Sequence, residues 1–151
     1  MCENSSYALH GVGGIMIEAP GVEARGRITP QDLSMIREAH VPAYASLISS
    51  LKAMAVGLPV GIQLMQPVAR LPRGVRTTVA RGRPGSEGWL IPKKLSAQNV
   101  EEIQQACVTA AERAFEIGAN VIKLHAADGY LLHYFLYPFS TERTDKCGGS
   151  V

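Results

Sequence analysis

"KLSAQNVEEIQQACVTAAERAFEIGANVIKLH", residues 94–125, decides the fold. Val100, Ile103, Cys107, Ala110, Ala111, Ala114 and Ile117 recur at three- and four-residue spacing, which places them on one apolar stripe of a helix. Ser96 stands where a hydroxyl can accept from a free first-turn amide, and Gly118 supplies the left-handed residue that stops the helix. "ANVIKLH" (119–125) follows as a strand. Its alternation sets Val121, Lys123 and His125 on one face, with Ile122 and Leu124 on the other. A face carrying a lysine and a histidine is poorly suited to packing under a helix, so it lines a barrel interior or a cleft.

The same grammar runs through the preceding residues. "GVGGIMIEAPGV" (11–22) holds a short apolar run, Ile15–Ile17, bounded by glycines and Pro20, and reads as a buried strand. In "ITPQDL" (28–33), Thr29 as a cap and Pro30 in the first position predict a helical turn. "HVPAYASLISSLKAMAVG" (40–57) spaces Tyr44, Leu47, Ile48, Leu51 and Met54 or Ala55 as a helix face, and Gly57 ends it. "LPVGIQLM" (58–65) is the next strand, and a further helix is expected near 131–136. Strand, helix, strand, helix, strand predicts an α/β protein with a parallel sheet. Residues 66–94, with four prolines, four glycines and five arginines, read as a long loop, either functional or a solvated excursion.

Composition narrows the partners. The 151 residues suit one domain, 1–151. With 46% apolar residues and a formal net charge of +2, nothing points to nucleic acid or an anionic membrane. No apolar run is long enough to span a bilayer and no leader pattern opens the chain, so a cytoplasmic protein is expected. Cys2, Cys107 and Cys147 are odd in number and widely spaced, which predicts free thiols and no metal site.

Ligands in parallel α/β folds bind at the carboxyl ends of the strands, here Glu18, Met65 and His125. Just beyond the last of these, "HAADGYL" (125–131) gathers an imidazole, a carboxyl and a phenol. That stretch resembles the old yellow enzyme family, the flavin-dependent ene-reductases built on a (β/α)8 barrel. In that family a strand ends in histidine, two small residues, asparagine or histidine, then glycine, tyrosine and leucine. "PFSTERTDKCGGS" (138–150) is similar to a downstream motif of the same family, with Thr141 for an asparagine and Cys147 for a tyrosine. "GVGGIMIEAPGVEARGRITPQDL" and "GIQLMQPVAR" resemble its second and third strands with their following loops.

The resemblance implies a partial (β/α)8 barrel with three to four parallel strands. It implies that Gln63 contacts a flavin ring, that His125 binds a carbonyl oxygen beside a partner at Asp128, and that Tyr130 protonates carbon. Three positions depart from it. Asp128 replaces a hydrogen-bond donor, "QPVAR" (66–70) replaces a histidine-containing stretch, and Lys123 replaces an acidic residue. A complete barrel needs about 250 residues, so the chain reads as a truncated member without the flavin-phosphate half.

Without flavin, a carbonyl clamp and a proton donor remain, and these suit enolisation. The leading expectation is therefore a cofactor-independent isomerase or epimerase. Its catalytic residues would be His125, Asp128 and Tyr130, with Gln63, Lys123 and Glu18 binding a lipophilic carbonyl substrate such as a natural-product intermediate. An FMN-dependent ene-reductase that completes its barrel by association, and a non-catalytic fragment, stand as alternatives. Asp128 before Gly129 also fits a simple turn residue, Tyr130 a packing group, and His125 a hydrogen-bonded strand end. Two further expectations follow: a Glu18–Lys123 ion pair on the interior face, and a homodimer covering the open sheet edges.

Overall fold

A computed structural model of the chain describes residues 2–26, 31–66, 78–79, 93–137 and 143–148. In chain order it contains α1 (Cys2–Leu9), β1 (Ile15–Ile17), α2 (Val41–Met54), β2 (Val60–Leu64), β3 (Thr78–Val79), β4 (Lys93–Lys94), α3 (Ala97–Glu116), β5 (Val121–Leu124) and α4 (Leu131–Leu136). The principal sheet has three strands in the order β1-β2-β5, all parallel. The fold is α/β, with a helix in each crossover between its strands, as parallel pairing requires. The expected turn at Thr29–Pro30 lies outside the described residues.

The helices form for the reasons visible in the sequence. Ser96 accepts from the Asn99 amide at 3.1 Å while the Asn99 side chain reaches back to the Ser96 amide, a reciprocal cap on α3. Gly57 and Gly118 both adopt positive φ just beyond α2 and α3. Register is set beside β5. Asn120 donates its amide to the Val60 carbonyl at 2.7 Å, and its side-chain oxygen accepts from the Val60 amide at 3.1 Å. Gly61 then pairs with Val121 and Gln63 with Lys123.

One face of the sheet is the core. Ile15, Ile17, Val60, Ile62 and Leu64 pack with Tyr44, Ile48 and Leu51 of α2 and Ala110 and Ala114 of α3, with Ile122 against them. Met16, Gly61, Gln63, Val121 and Lys123 alternate onto the opposite face. Gly61 leaves room there for the Met16 side chain, whose terminal carbon lies 2.7 Å from where a Cβ would stand.

Two expectations are corrected, and one element went unread. Cys2–Leu9, to which the sequence reading assigned no element, is a helix that brings Ala8 into the core and touches α2. Its polar sequence has no apolar periodicity, so tertiary packing decides it. Within the stretch read as a loop, β3 and β4 form a short parallel ladder. The Glu18–Lys123 ion pair is not formed: both residues are exposed, Glu18 follows β1 and Lys123 lies on β5, and β2 runs between those two outer strands.

Candidate active site

The site is built where β5 ends. The His125 amide donates to the Leu64 carbonyl at 3.0 Å, extending the ladder one residue past Leu124. Asp128 and Gly129 then both take positive φ, 57° and 77°, and the Tyr130 amide closes the reversal on the Ala127 carbonyl at 3.1 Å. Asp-Gly is a favoured pair for a turn with two left-handed central residues. Asp128 is therefore a turn residue by backbone, which leaves its carboxylate free to act by side chain. Tyr130 is the cap position of α4, and the next amide, Leu131, donates to the Gln66 carbonyl at 3.1 Å. That bond ties the turn to the end of β2.

The reversal folds Tyr130 back over His125, with ring centroids 4.3 Å apart and planes tilted by 56°. The imidazole is largely shielded, at 13% side-chain exposure, and its Nε2 lies 3.6 Å from Oδ2 of Asp128, which is 79% exposed. His125 Nδ1 accepts from the Ala127 amide at 3.4 Å, which leaves Nε2 as the protonated, donating nitrogen. The structure thus brings His125, Asp128 and Tyr130 together, and sets Lys123 two residues before His125 on the same alternating face.

Gln63 pairs in register with Lys123 and is only 4% exposed. Its Oε1 is buried without a hydrogen-bond partner among the described residues. A buried amide with a vacant acceptor is costly, by roughly 1–3 kcal/mol, unless something else meets it. Glu18 stands exposed one residue beyond the last registered pair of β1 and β2, Ile17 with Ile62.

Two contributors went unassigned in the sequence reading. Gln66 is buried, donates from Nε2 to Glu23 Oε1 at 2.6 Å, and receives the Leu131 amide on its carbonyl. His133 accepts from the Gly129 amide at 2.8 Å through Nδ1 and so braces the turn from within α4. Only the spacing of four between Gly129 and His133 hinted at the second. Cys107 and Cys147 are free thiols, and among the described residues no His, Cys, Asp and Glu cluster suits a metal ion. No helix among those residues is long and apolar enough to cross a membrane.

Comparison with known proteins shows which family has this three-stranded arrangement. Residues 4–151 match the family described as NADH:flavin oxidoreductase / NADH oxidase, and the chain belongs to that family. It is 38% identical over 150 residues to the NADPH dehydrogenase of Bacillus subtilis, covering 99% of this chain and 44% of that protein. It is 33% identical over 161 residues to an NADH:flavin oxidoreductase of Gibberella zeae, covering 93% and 38%. Among solved structures, morphinone reductase superimposes with a TM-score of 0.85 at 20% identity, over 98% of this chain and 45% of that one. The old yellow enzyme homologue of Zymomonas mobilis gives 0.84 at 21%, over 97% and 44%. The chain thus spans less than half the length of the relatives it matches.

These likenesses overturn the expectation of a cofactor-free isomerase or epimerase. The relatives are flavin oxidoreductases and NADPH dehydrogenases, so a family without a cofactor is not the one this chain joins. The physical reason for the error is plain. A carbonyl-binding imidazole and a proton-donating phenol serve enolisation and alkene reduction alike. The burial of Gln63 and its Oε1 without a partner among the described residues showed only in the structure.

Proposed function

We propose that the chain carries the substrate-facing part of an FMN-dependent oxidoreductase that draws on a reduced nicotinamide and acts on a small carbonyl-bearing molecule. The observation that carries this reading is Gln63, buried in register with Lys123 and with an acceptor that has no partner among the described residues. A carboxamide offers a donor and an acceptor side by side, which complements the imide edge of a flavin's pyrimidine ring. Bound there, FMN would supply hydride chemistry.

The remaining roles belong to the chain's own side chains. His125 donates from Nε2 to the substrate's carbonyl oxygen and draws charge toward it. Tyr130, tilted against that imidazole, carries the proton for the neighbouring carbon. Asp128 sits at the oxygen end and Lys123 lines the same face. A homodimer is the association we propose for the β5 edge, where Val121 and Leu124 are about half exposed. Light scattering checks that point.

Titration of the protein with FMN, followed by flavin absorbance, tests the main reading. Saturable binding that Gln63→Leu weakens by about tenfold is expected, with NADPH-dependent reduction of cyclohexenone lowered in His125→Ala and Tyr130→Phe. Absence of FMN binding, or turnover indifferent to all three substitutions, would overturn it.

A further inference from the structure

The pair His125 and Asp128 says more about the ligand than the reading above requires. Two donors at these positions would take both lone pairs of a single oxygen. This site has one of each kind. Nε2 is the free donor, because Nδ1 is engaged by the Ala127 amide. Oδ2 of Asp128 is an acceptor 3.6 Å away, too far for a direct hydrogen bond to satisfy either group. Tyr130 covers the imidazole and holds its plane, while the carboxylate stands 79% exposed at the outer end. The backbone offers little latitude, since Asp128 is fixed in a left-handed turn closed at Ala127 and Tyr130.

A donor and an acceptor set that far apart match a ligand with an acceptor and a donor on adjacent atoms. Hydrogen bonds of about 2.8 Å on each side close a ring across the gap. Resting on the proposal that this site takes a carbonyl compound, we infer that Asp128 selects substrates bearing a hydroxyl next to the carbonyl, the α-hydroxy ketones. The carbonyl oxygen accepts from His125 Nε2 and the neighbouring hydroxyl donates to Asp128 Oδ2. A ketone without that hydroxyl leaves the carboxylate to water, and an anionic oxygen there is repelled by it.

The test compares 2-hydroxycyclohexanone with cyclohexanone by NMR titration of the His125 ring resonances. Asp128→Asn and Asp128→Gly serve as variants, because both residues tolerate positive φ and preserve the turn. The wild-type protein is expected to bind the hydroxy ketone about tenfold more tightly, Asp128→Gly to bring the two ligands within about twofold, and Asp128→Asn, whose amide oxygen still accepts but carries no charge, to fall between. Equal affinities in the wild type, a preference that survives in Asp128→Gly, or no response of His125 to either ketone overturns the inference. FMN binding is read in the same samples. The preference without FMN binding would sink the oxidoreductase reading alone, and FMN binding without the preference would sink this one alone.

Discussion

Arg143 donates from Nη1 to the carbonyl oxygen of Leu95 at 2.7 Å, joining segments 48 residues apart. The same guanidinium forks onto both carboxylate oxygens of Asp145 and lies 5.7 Å from the Phe135 ring centroid. Its side chain is 1% exposed, whereas Asp145 is 43% exposed. Arg143→Met should lower stability by about 2–3 kcal/mol, less than a fully buried pair would lose because Asp145 regains water. Arg143→Lys should not restore it, since a single ammonium cannot reproduce the planar fork. Urea denaturation of the three proteins measures both.

Gln63 should show opposite effects with and without ligand. Gln63→Leu removes the vacant buried acceptor, so the ligand-free protein should gain about 1 kcal/mol. If FMN binds as proposed, the same change should lower the stabilisation that saturating FMN brings by about 1.4 kcal/mol, the counterpart of a tenfold weaker Kd. Thermal melts with and without FMN read both halves, and a loss of stability in the ligand-free variant would count against the vacancy.

Tyr44 gives a pH signature. Burial pushes its phenol up to about 12, with the backbone of Ser34 drawing it back only in part. The folded state therefore resists ionisation that the unfolded chain undergoes near pH 10. Its contribution is whole below pH 10 and is lost as pH rises toward 12. Tyr44→Phe should flatten that loss and cost little at pH 7, because the interaction with the Ser34 backbone falls short of a well-formed hydrogen bond. Denaturation midpoints from pH 8 to 11.5 decide it.

Core and surface positions on neighbouring elements should separate cleanly. Ile62 is fully buried at the centre of the sheet, and Ile62→Ala should cost about 2–5 kcal/mol. Met54, on the last turn of α2, is 43% exposed, and Met54→Ala should fall within about 0.5 kcal/mol of wild type. Comparable losses at both would contradict the packing described.

Thiol reactivity offers a last check. Burial, and to a lesser degree Glu23, pushes the Cys107 thiol up. Its thiolate fraction at pH 8 is therefore below that of an open cysteine, and iodoacetamide should modify it more slowly than glutathione. Unfolding in urea should erase the difference.

Much of this was legible in the sequence for one physical reason: burial repeats with the period of the element. The α3 stripe from Val100 to Ile117 and the Ile15–Ile17 run announced themselves by spacing, and Gly57 and Gly118 by their freedom at positive φ. The polar α1 helix had no such period, and the β3–β4 ladder was too short to have one. His125, Asp128 and Tyr130 were adjacent in the chain, so local spacing sufficed to find them. Gln66 and Leu131 lie 65 residues apart and meet through backbone groups, which no side-chain pattern records. The Glu18–Lys123 pair failed because strand order, unlike alternation, is not written in any one strand.

Glu18, just past the end of β1, Gln63 on β2 and Lys123 on β5 follow one another across the sheet as carboxylate, amide and ammonium. Such a row is a transverse electric field about two strand spacings, or roughly 10 Å, long. While water fills the space above the sheet, the gradient is weak. A flat apolar ring laid over the row would expel that water and strengthen the gradient severalfold. A polarisable guest would then find its own electrons displaced toward the lysine side.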